Sequence, residues 1–357
     1  ALDQFFCRHP DEFLERPVEA AILDHESEEI HAAHLVCAAH EGPLDPIADM
    51  ETMGPRVRAA CEALVSTGVL VERRGTFVLR AAEDFPAARV SLRSASADSV
   101  AIVDTSSGEL LGTVDAARSH TTVHDGAVYL HQGRSYEVDE LDIEGRRALV
   151  HPFNGDWYTQ PKKETDTYVE RLLDRRDTMG VVLSYGVVTV TDTVHAYQRK
   201  RLPSQEVIDL QTLDLPPTAF TTRALWYEFS NEILATMPMD ILLGALHAVE
   251  HAQIAVLPLI AMCDRWDIGG LSTNLHPQTG GPAIFIYDGH PGGIGITRQG
   301  YAAFERLTAD AFRLIQECPC EHGCPSCVQS PKCGNLNDPL HKRGALEVLS
   351  RMLERRD

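Results

Sequence analysis

The sequence predicts an α+β fold in three parts, and three of its features say so. Between Glu28 and Leu79, apolar residues at helical spacing give way to two short β-type runs. From about Val90 to Phe229, strand-like runs alternate with turn residues. After Met239, a long apolar helix, a buried strand and an amphipathic helix follow one another, and the chain then enters a dense group of cysteines.

Taken in order, residues 1–27 read as a connecting segment in which Pro10 and Pro17 break short helical pieces. The chain starts abruptly, as a fragment would, without a signal or transit peptide. Residues 28–41 read as a helix ending before Gly42-Pro43, and Leu44 to Met50 allows a second short one. Pro55 sits where a helix can begin, Val57, Ala60, Cys61 and Leu64 form its apolar stripe, and Gly68 stops it. Two strands, Val69–Glu72 and Thr76–Leu79, joined by Arg73-Arg74-Gly75, complete the outline of a winged helix. Further on, Ser99–Asp104, Ala127–His131, Ser135–Leu141, Arg147–His151 and Gly180–Tyr197 are strand-like, with spacing that suggests a barrel or curled sheet. The long helix from about Met239 is interrupted near Pro258. Pro282–Asp288 reads as a buried strand, Gly289–Gly295 as a tight loop and Thr297–Glu317 as an amphipathic helix. The expected divisions are therefore a linker at 1–27, a winged-helix-like domain at 28–82, a β-rich, barrel-like subdomain at 83–230, and an α/β subdomain with a cysteine metal site at 231–357.

Composition narrows the function classes. With 32 Lys and Arg against 52 Asp and Glu, the 357-residue chain has a formal net charge of −20, which excludes a surface that is positive throughout. No apolar run is long enough to span a membrane, so no membrane partner is expected. Of nine cysteines, five crowd into Cys318–Cys333, reading CPCEHGCPSCVQSPKC. Such density in a large acidic chain points to metal in a reducing cytosol rather than to disulfides. Cys324-Pro-Ser-Cys327 can aim two sulfurs at one ion. Two more must come from Cys318, Cys320 and Cys333. Cys320 and Cys333 are favoured because Pro319 restricts the turn between Cys318 and Cys320. Four thiolates would fill a zinc coordination sphere and make the ion structural, one per chain.

Other motifs have a sharp reading and a plain one. His247-Ala-Val-Glu250-His251 matches the HxxEH pattern of zinc peptidases, with two imidazoles on one helical face and a glutamate as general base, but it equally suits a buried polar network. The glycines of Gly289–Gly295 could bring backbone N–H groups to a phosphate or simply make a tight turn. Basic residues cluster at Arg56 and Arg58, at Arg73 and Arg74, at Lys162 and Lys163 beyond Trp157, and at Arg199, Lys200 and Arg201. A basic strip beside aromatic rings suits single-stranded nucleic acid, where charge tracks the backbone and rings stack on bases. A solvated surface is the plain alternative.

HAVEHA at 247–252, CDRWDIGG at 263–270, IFIYDGHPGGIG at 284–295 and CPCEHGCPSCVQSPKCGNLNDPLHK at 318–342 together resemble the zinc-binding C-terminal domain of the MrfA/SftH branch of bacterial superfamily 2 DNA helicases. ALDQFFCRHPDEF at 1–13 resembles the segment after their last helicase motif. The resemblance implies a part of an ATP-dependent translocase that moves 3′ to 5′ on single-stranded DNA, with relatives tied to DNA repair. It also implies zinc on Cys320, Cys324, Cys327 and Cys333, and makes the peptidase reading weaker. Walker A and the acidic Mg²⁺ box are not found in this sequence. ATP and Mg²⁺ are therefore expected only on RecA-like motor domains of the same polypeptide. The expected partners are those domains and single-stranded or forked DNA, in the cytoplasm at the nucleoid.

Overall fold

A computed structural model describes residues 1–15, 28–81, 85–90, 99–234 and 237–355. Two compact units divide the chain, one of Ile22–Ala97 with His290–Gly295, the other of Ala1–Ala21, Asp98–Gly289 and Ile296–Asp357.

The smaller unit is built as its apolar pattern requires. Helices Glu28–Glu41 and Val57–Ser66 pack with the hairpin Leu70–Arg73/Thr76–Leu79 around Leu35, Leu44, Val57, Cys61, Leu70 and Phe77. The second helix is shorter and later than expected, at Met50–Met53. The carboxylate of Asp45 accepts the N–H groups of Ile47 and Ala48, which holds the preceding stretch in a turn. Arg74 and Gly75 both have positive φ, 55° and 85°, the two-residue turn that suits a twisted hairpin. Leu44 makes an isolated antiparallel bridge to Phe77 beside the two-stranded wing.

The larger unit holds two sheets. In the first, the strand order is Leu110–Asp115, Ser99–Asp104, Arg147–Pro152, Arg134–Asp142, Val128–His131. Its buried face carries Ile102, Val138, Ala148 and Val150. The second is organised by a hairpin of two very long strands, Trp157–Thr178 and Val181–Arg201, turning at Met179-Gly180. Val181–Arg201 also pairs with Val207–Thr212 and Thr218–Phe229, and the sheet continues through Ala283–Asp288 to Ile268–Thr273. The division expected near 230 thus runs through a continuous sheet, because Leu225 pairs with Ile286 and Trp226 with Phe285. The start of the chain is likewise not a bare linker. Residues 1–15 form helices Leu2–Arg8 and Pro10–Leu14, with Phe5 buried under the Arg313 guanidinium and Glu12 paired to Arg313. The expected linker residues 16–27 lie outside the described ones.

The helix Met239–Val256 packs against the strand Ile268–Thr273 and the helices Phe304–Gln316 and Lys342–Leu353. It is apolar enough to cross a membrane by composition, yet 78% of that stretch is buried inside the protein. A helix apolar nearly all round belongs in a core.

Candidate metal centre and nucleic-acid interface

The cysteine segment leaves the helix Phe304–Gln316 and returns to Lys342–Leu353. Within it, the sulfurs of Cys318, Cys320, Cys324 and Cys327 all lie within 4.8 Å of one another. Cys318 and Cys320 are 3.6 Å apart, Cys318 and Cys324 3.5 Å, Cys320 and Cys327 3.5 Å, and Cys324 and Cys327 3.9 Å. Four thiolates about 2.3 Å from a tetrahedral zinc stand about 3.8 Å from each other. The four sulfurs therefore form a cage of zinc dimensions.

This is not the expected quartet. Cys318 occupies the place given to Cys333, and the physical reason lies in Pro319. A residue before proline is held extended, and in extended chain residues i and i+2 face the same way. The proline that seemed to hinder Cys318-Pro-Cys320 therefore suits joint ligation. Cys333 stands instead beside His247, its Sγ 3.3 Å from Nε2.

Charge around the cage is arranged for a thiolate cluster. Burial alone would raise the Cys318 thiol, but the backbone N–H of Cys320 and the thiols of Cys324, Cys320 and Cys327 bring it down to about 6. Cys327 is pushed well up, first by burial. Deprotonating all four requires a cation. Lys342, buried and not singled out from the sequence, donates from Nζ to the carbonyls of Cys318 and Cys320, each at 2.6 Å, and to the Cys320 sulfur at 3.4 Å. It sits in the first turn of its helix, the wrong end for a cation. The thiolates supply the compensation. A sequence signal did exist, in the lysine that ends the run CGNLNDPLHK.

The HxxEH histidines lie on one face of the helix Met239–Val256, as the spacing predicts. Glu250 between them is buried, its carboxyl pushed up by that burial, and it packs against the strand Ile268–Thr273. Gly270 in that strand has no room for a side chain, since a Cβ there would come 2.5 Å from Glu250 Oε1. The glycine loop Gly289–Gly295 gains no support as a phosphate cradle. Asp288 Oδ1 already accepts the Thr297 N–H at 2.8 Å, filling the anion position at the start of the next helix.

The basic candidates separate into two groups. Arg73 and Arg74 tip the wing, exposed, and among the described residues neither is in an ion pair. Arg58 is paired with Glu62 at 3.6 Å and shares its third helix with Arg56, which precedes the first turn. On the long hairpin, positive charge is largely answered within the sheet. Lys163 meets Asp192 at 2.5 Å, Arg201 meets Asp156 at 3.0 Å, and Arg199 is forked onto Asp209. Lys200 donates to Gln160, and Lys162 shares the Lys200 face of the sheet. Trp157 lies under the Arg199 guanidinium, 5.2 Å from its ring centre, and against Phe153. The hairpin borders a cleft of about 1250 Å³ that also reaches Trp266, Lys332 and the cysteine segment. Lys332, pushed down to about 7 by burial and by Lys163, donates there to the carbonyls of Arg265 and Ile268.

Comparison with known proteins fits this geometry. Residues 249–328 match the family model described as the MrfA Zn-binding domain, a span that contains all four caging cysteines and stops short of Cys333. Residues 23–95 match the winged helix domain of ATP-dependent helicase HRQ1. The crystal structure of the DUF1998 helicase MrfA bound to DNA superposes over 98% of this chain and 46% of that one, with a TM-score of 0.58 and 32% identity. The matches support a C-terminal region of an MrfA-type helicase. The ATP-dependent helicase YprA of Bacillus subtilis, itself uncharacterized, is 34% identical over 333 residues, 92% of this chain and 44% of that protein. The ATP-dependent helicase hrq1 of Schizosaccharomyces pombe is 27% identical over 376 residues, 99% of this chain and 34% of its own length. The chain thus spans less than half the length of these curated relatives. Likeness to the MrfA-type helicases supports the α+β fold, the winged helix and a zinc-binding domain. It also turns the HxxEH motif away from a peptidase.

Proposed function

We propose that this chain is a DNA-binding accessory module of an ATP-dependent, 3′-to-5′ superfamily 2 DNA helicase serving DNA repair in the cytoplasm, at the nucleoid. In this reading, RecA-like domains of the same polypeptide supply ATP and Mg²⁺ chemistry, and this region grips single-stranded or forked DNA. The observation that carries it is the four-thiol cage of Cys318, Cys320, Cys324 and Cys327 lying inside the matched zinc-binding domain, in a chain that also has a matched winged helix. Zinc in that cage is structural, because four protein thiolates leave no position for a substrate or water. It ties the helix Phe304–Gln316 to the helix Lys342–Leu353, and its binding energy becomes folding energy.

DNA contact is assigned first to Arg73 and Arg74 on the wing, and second to Lys162, Lys200 and Trp157 on the hairpin. The pairing of Lys163, Arg199 and Arg201 with carboxylates makes them weaker candidates. Titrating the chain with single-stranded, forked and duplex DNA at rising salt tests the reading. Binding is expected to be weak and salt-sensitive, given the net charge of −20. Each phosphate contact to a single strand contributes about 0.7 to the salt slope, so Arg73→Ala/Arg74→Ala is expected to lower it by about 1.4. Absence of binding to any DNA at low salt would make the module a scaffold for protein partners.

A further inference from the structure

Behind the four-thiol cage, the long helix carries a second group of metal-capable side chains that the proposed function does not use. His247 and His251 are one turn apart on Met239–Val256, their rings edge to face with centroids 4.3 Å apart. Cys333 reaches them from the loop beyond the cage, and the three donor atoms lie within 4.8 Å of one another, all three residues buried. Each imidazole is fixed by a backbone carbonyl at its other nitrogen. His247 Nδ1 is 2.8 Å from the Pro339 oxygen and His251 Nδ1 is 2.7 Å from the Val328 oxygen. A carbonyl can only accept, so each Nδ1 carries a proton, and in the neutral ring Nε2 is the nitrogen left with a lone pair for a metal. That is how metal-binding imidazoles are oriented. The Asn337 N–H points at the Cys333 sulfur from 3.3 Å, as it would to support a thiolate.

We infer that His247, His251 and Cys333 form a second metal site that takes a zinc-class divalent ion on two imidazole nitrogens and one thiolate. Nitrogen and sulfur ligands of one tetrahedral zinc stand about 3.5 Å apart, given bonds of about 2.0 and 2.3 Å. The His247 Nε2 to Cys333 Sγ separation of 3.3 Å matches that spacing. A thiol–imidazole hydrogen bond would explain this one contact, but not the second imidazole held the same way beside it. All three residues also line the cleft, so the fourth coordination position opens to it and is filled by an exchangeable ligand. This differs from the cage, which is closed by its own thiolates. The inference does not depend on DNA binding.

The test is metal content of the full chain after loading with Zn²⁺, followed by Co²⁺ substitution and its visible spectrum with and without azide. Two ions per chain are expected. His251→Gln and Cys333→Ser each reduce the content to one, whereas Cys324→Ser/Cys327→Ser removes the other ion. Azide shifts the cobalt bands of the wild type and leaves those of His251→Gln unchanged, because the remaining cage has no free position. A wild type that holds a single ion overturns the inference without reference to any variant's folding. So does loss of the same ion by Cys333→Ser and by Cys324→Ser/Cys327→Ser, which would put Cys333 back in the cage. Two ions with a spectrum indifferent to azide would overturn the open fourth position.

Discussion

Replacing Lys342 with methionine separates what the buried lysine does for zinc from what it does for the fold. Its Nζ makes three contacts, to the Cys318 and Cys320 carbonyls at 2.6 Å and to the Cys320 sulfur at 3.4 Å. The two carbonyl bonds are present whether or not metal is bound, so they cancel from the metal equilibrium. They do not cancel from folding. Leaving two buried carbonyls without a donor lowers stability by about 3–6 kcal/mol, at about 1.5–3 kcal/mol for each bond from a charged group. The third contact faces a sulfur that binds zinc as a thiolate. Zn²⁺ with four thiolates carries a residual double negative charge, and the lysine offsets part of it. Loss of a partner of this kind typically weakens metal binding 10- to 100-fold, or about 1.4–2.7 kcal/mol. Competition against a chromophoric chelator reads that affinity directly. Lys342→Gln keeps a donor but not the charge, so it is expected to restore part of the stability and little of the affinity. A methionine variant that binds zinc within threefold of the wild type would refute the argument that Lys342 balances the cage.

The remaining predictions concern the frame around the cage and the wing. Glu305 is held at about 2, because hydrogen bonds from Arg176 and Thr178 outweigh the upward push of burial. A carboxyl depressed in this way stabilises the fold above its ordinary value of 4.5, and that stability drains as pH falls toward 2. Discounted for the solvent exposure of the pair, it amounts to about 1–2 kcal/mol. The stability gap between wild type and Glu305→Gln is therefore expected to narrow by that amount between pH 6 and pH 2 in denaturant titrations; a constant gap would contradict it. Tyr227→Phe strips the Gln253 Oε1 of a donor at 2.7 Å in a fully buried site, for an expected loss of about 1–3 kcal/mol. An unchanged unfolding midpoint would show that water or a rotated amide replaces it. Phe77→Ala opens a cavity in the wing's core and is expected to destabilise that unit by about 3–5 kcal/mol, seen as a lower denaturation midpoint; a loss below 1 kcal/mol would mean the core collapses to fill it.

The parts legible in the sequence are those whose determinants are local. The stripe Val57, Ala60, Cys61 and Leu64, the glycine turn at Gly75 and the apolar run Ala283–Asp288 each carry their own periodicity, and each forms the expected element. The strand Trp157–Thr178 does not, although it is among the longest. Most of its residues past Thr167 are exposed, and register shifts at Lys162/Lys163, Val169/Arg171 and Leu172/Asp174 break the two-residue alternation. The basic strip misleads for a related reason. Lys163 finds Asp192, and Arg201 finds Asp156, only because the hairpin register brings together residues 29 and 45 positions apart. The choice between Cys318 and Cys333 also turned on conformation. Pro319, read from the sequence as a hindrance to joint ligation by Cys318 and Cys320, instead holds Cys318 extended and lets both sulfurs face the cage.

The helix Met239–Val256 explains why so apolar an element retains a polar stripe. Its four buried polar residues each tie it to a different piece of chain. His247 holds the Pro339 carbonyl and Cys333, and His251 holds the Val328 carbonyl immediately after the cage. Gln253 joins Tyr227 to Thr308, and Glu250 fits against Gly270 in the neighbouring strand. Hydrophobic burial alone would leave such a helix free to slide or rotate among nearly equivalent packings, because apolar contacts are non-directional. Fixed donors and acceptors remove that freedom, at the expense of desolvating every one of them. Since two of the four ties run to the segment carrying the cysteines, the position of the helix against the sheet and the shape of the metal-binding tail are set together. Disturbing the cage is then felt in the core of the larger unit, as befits an ion whose binding energy is folding energy.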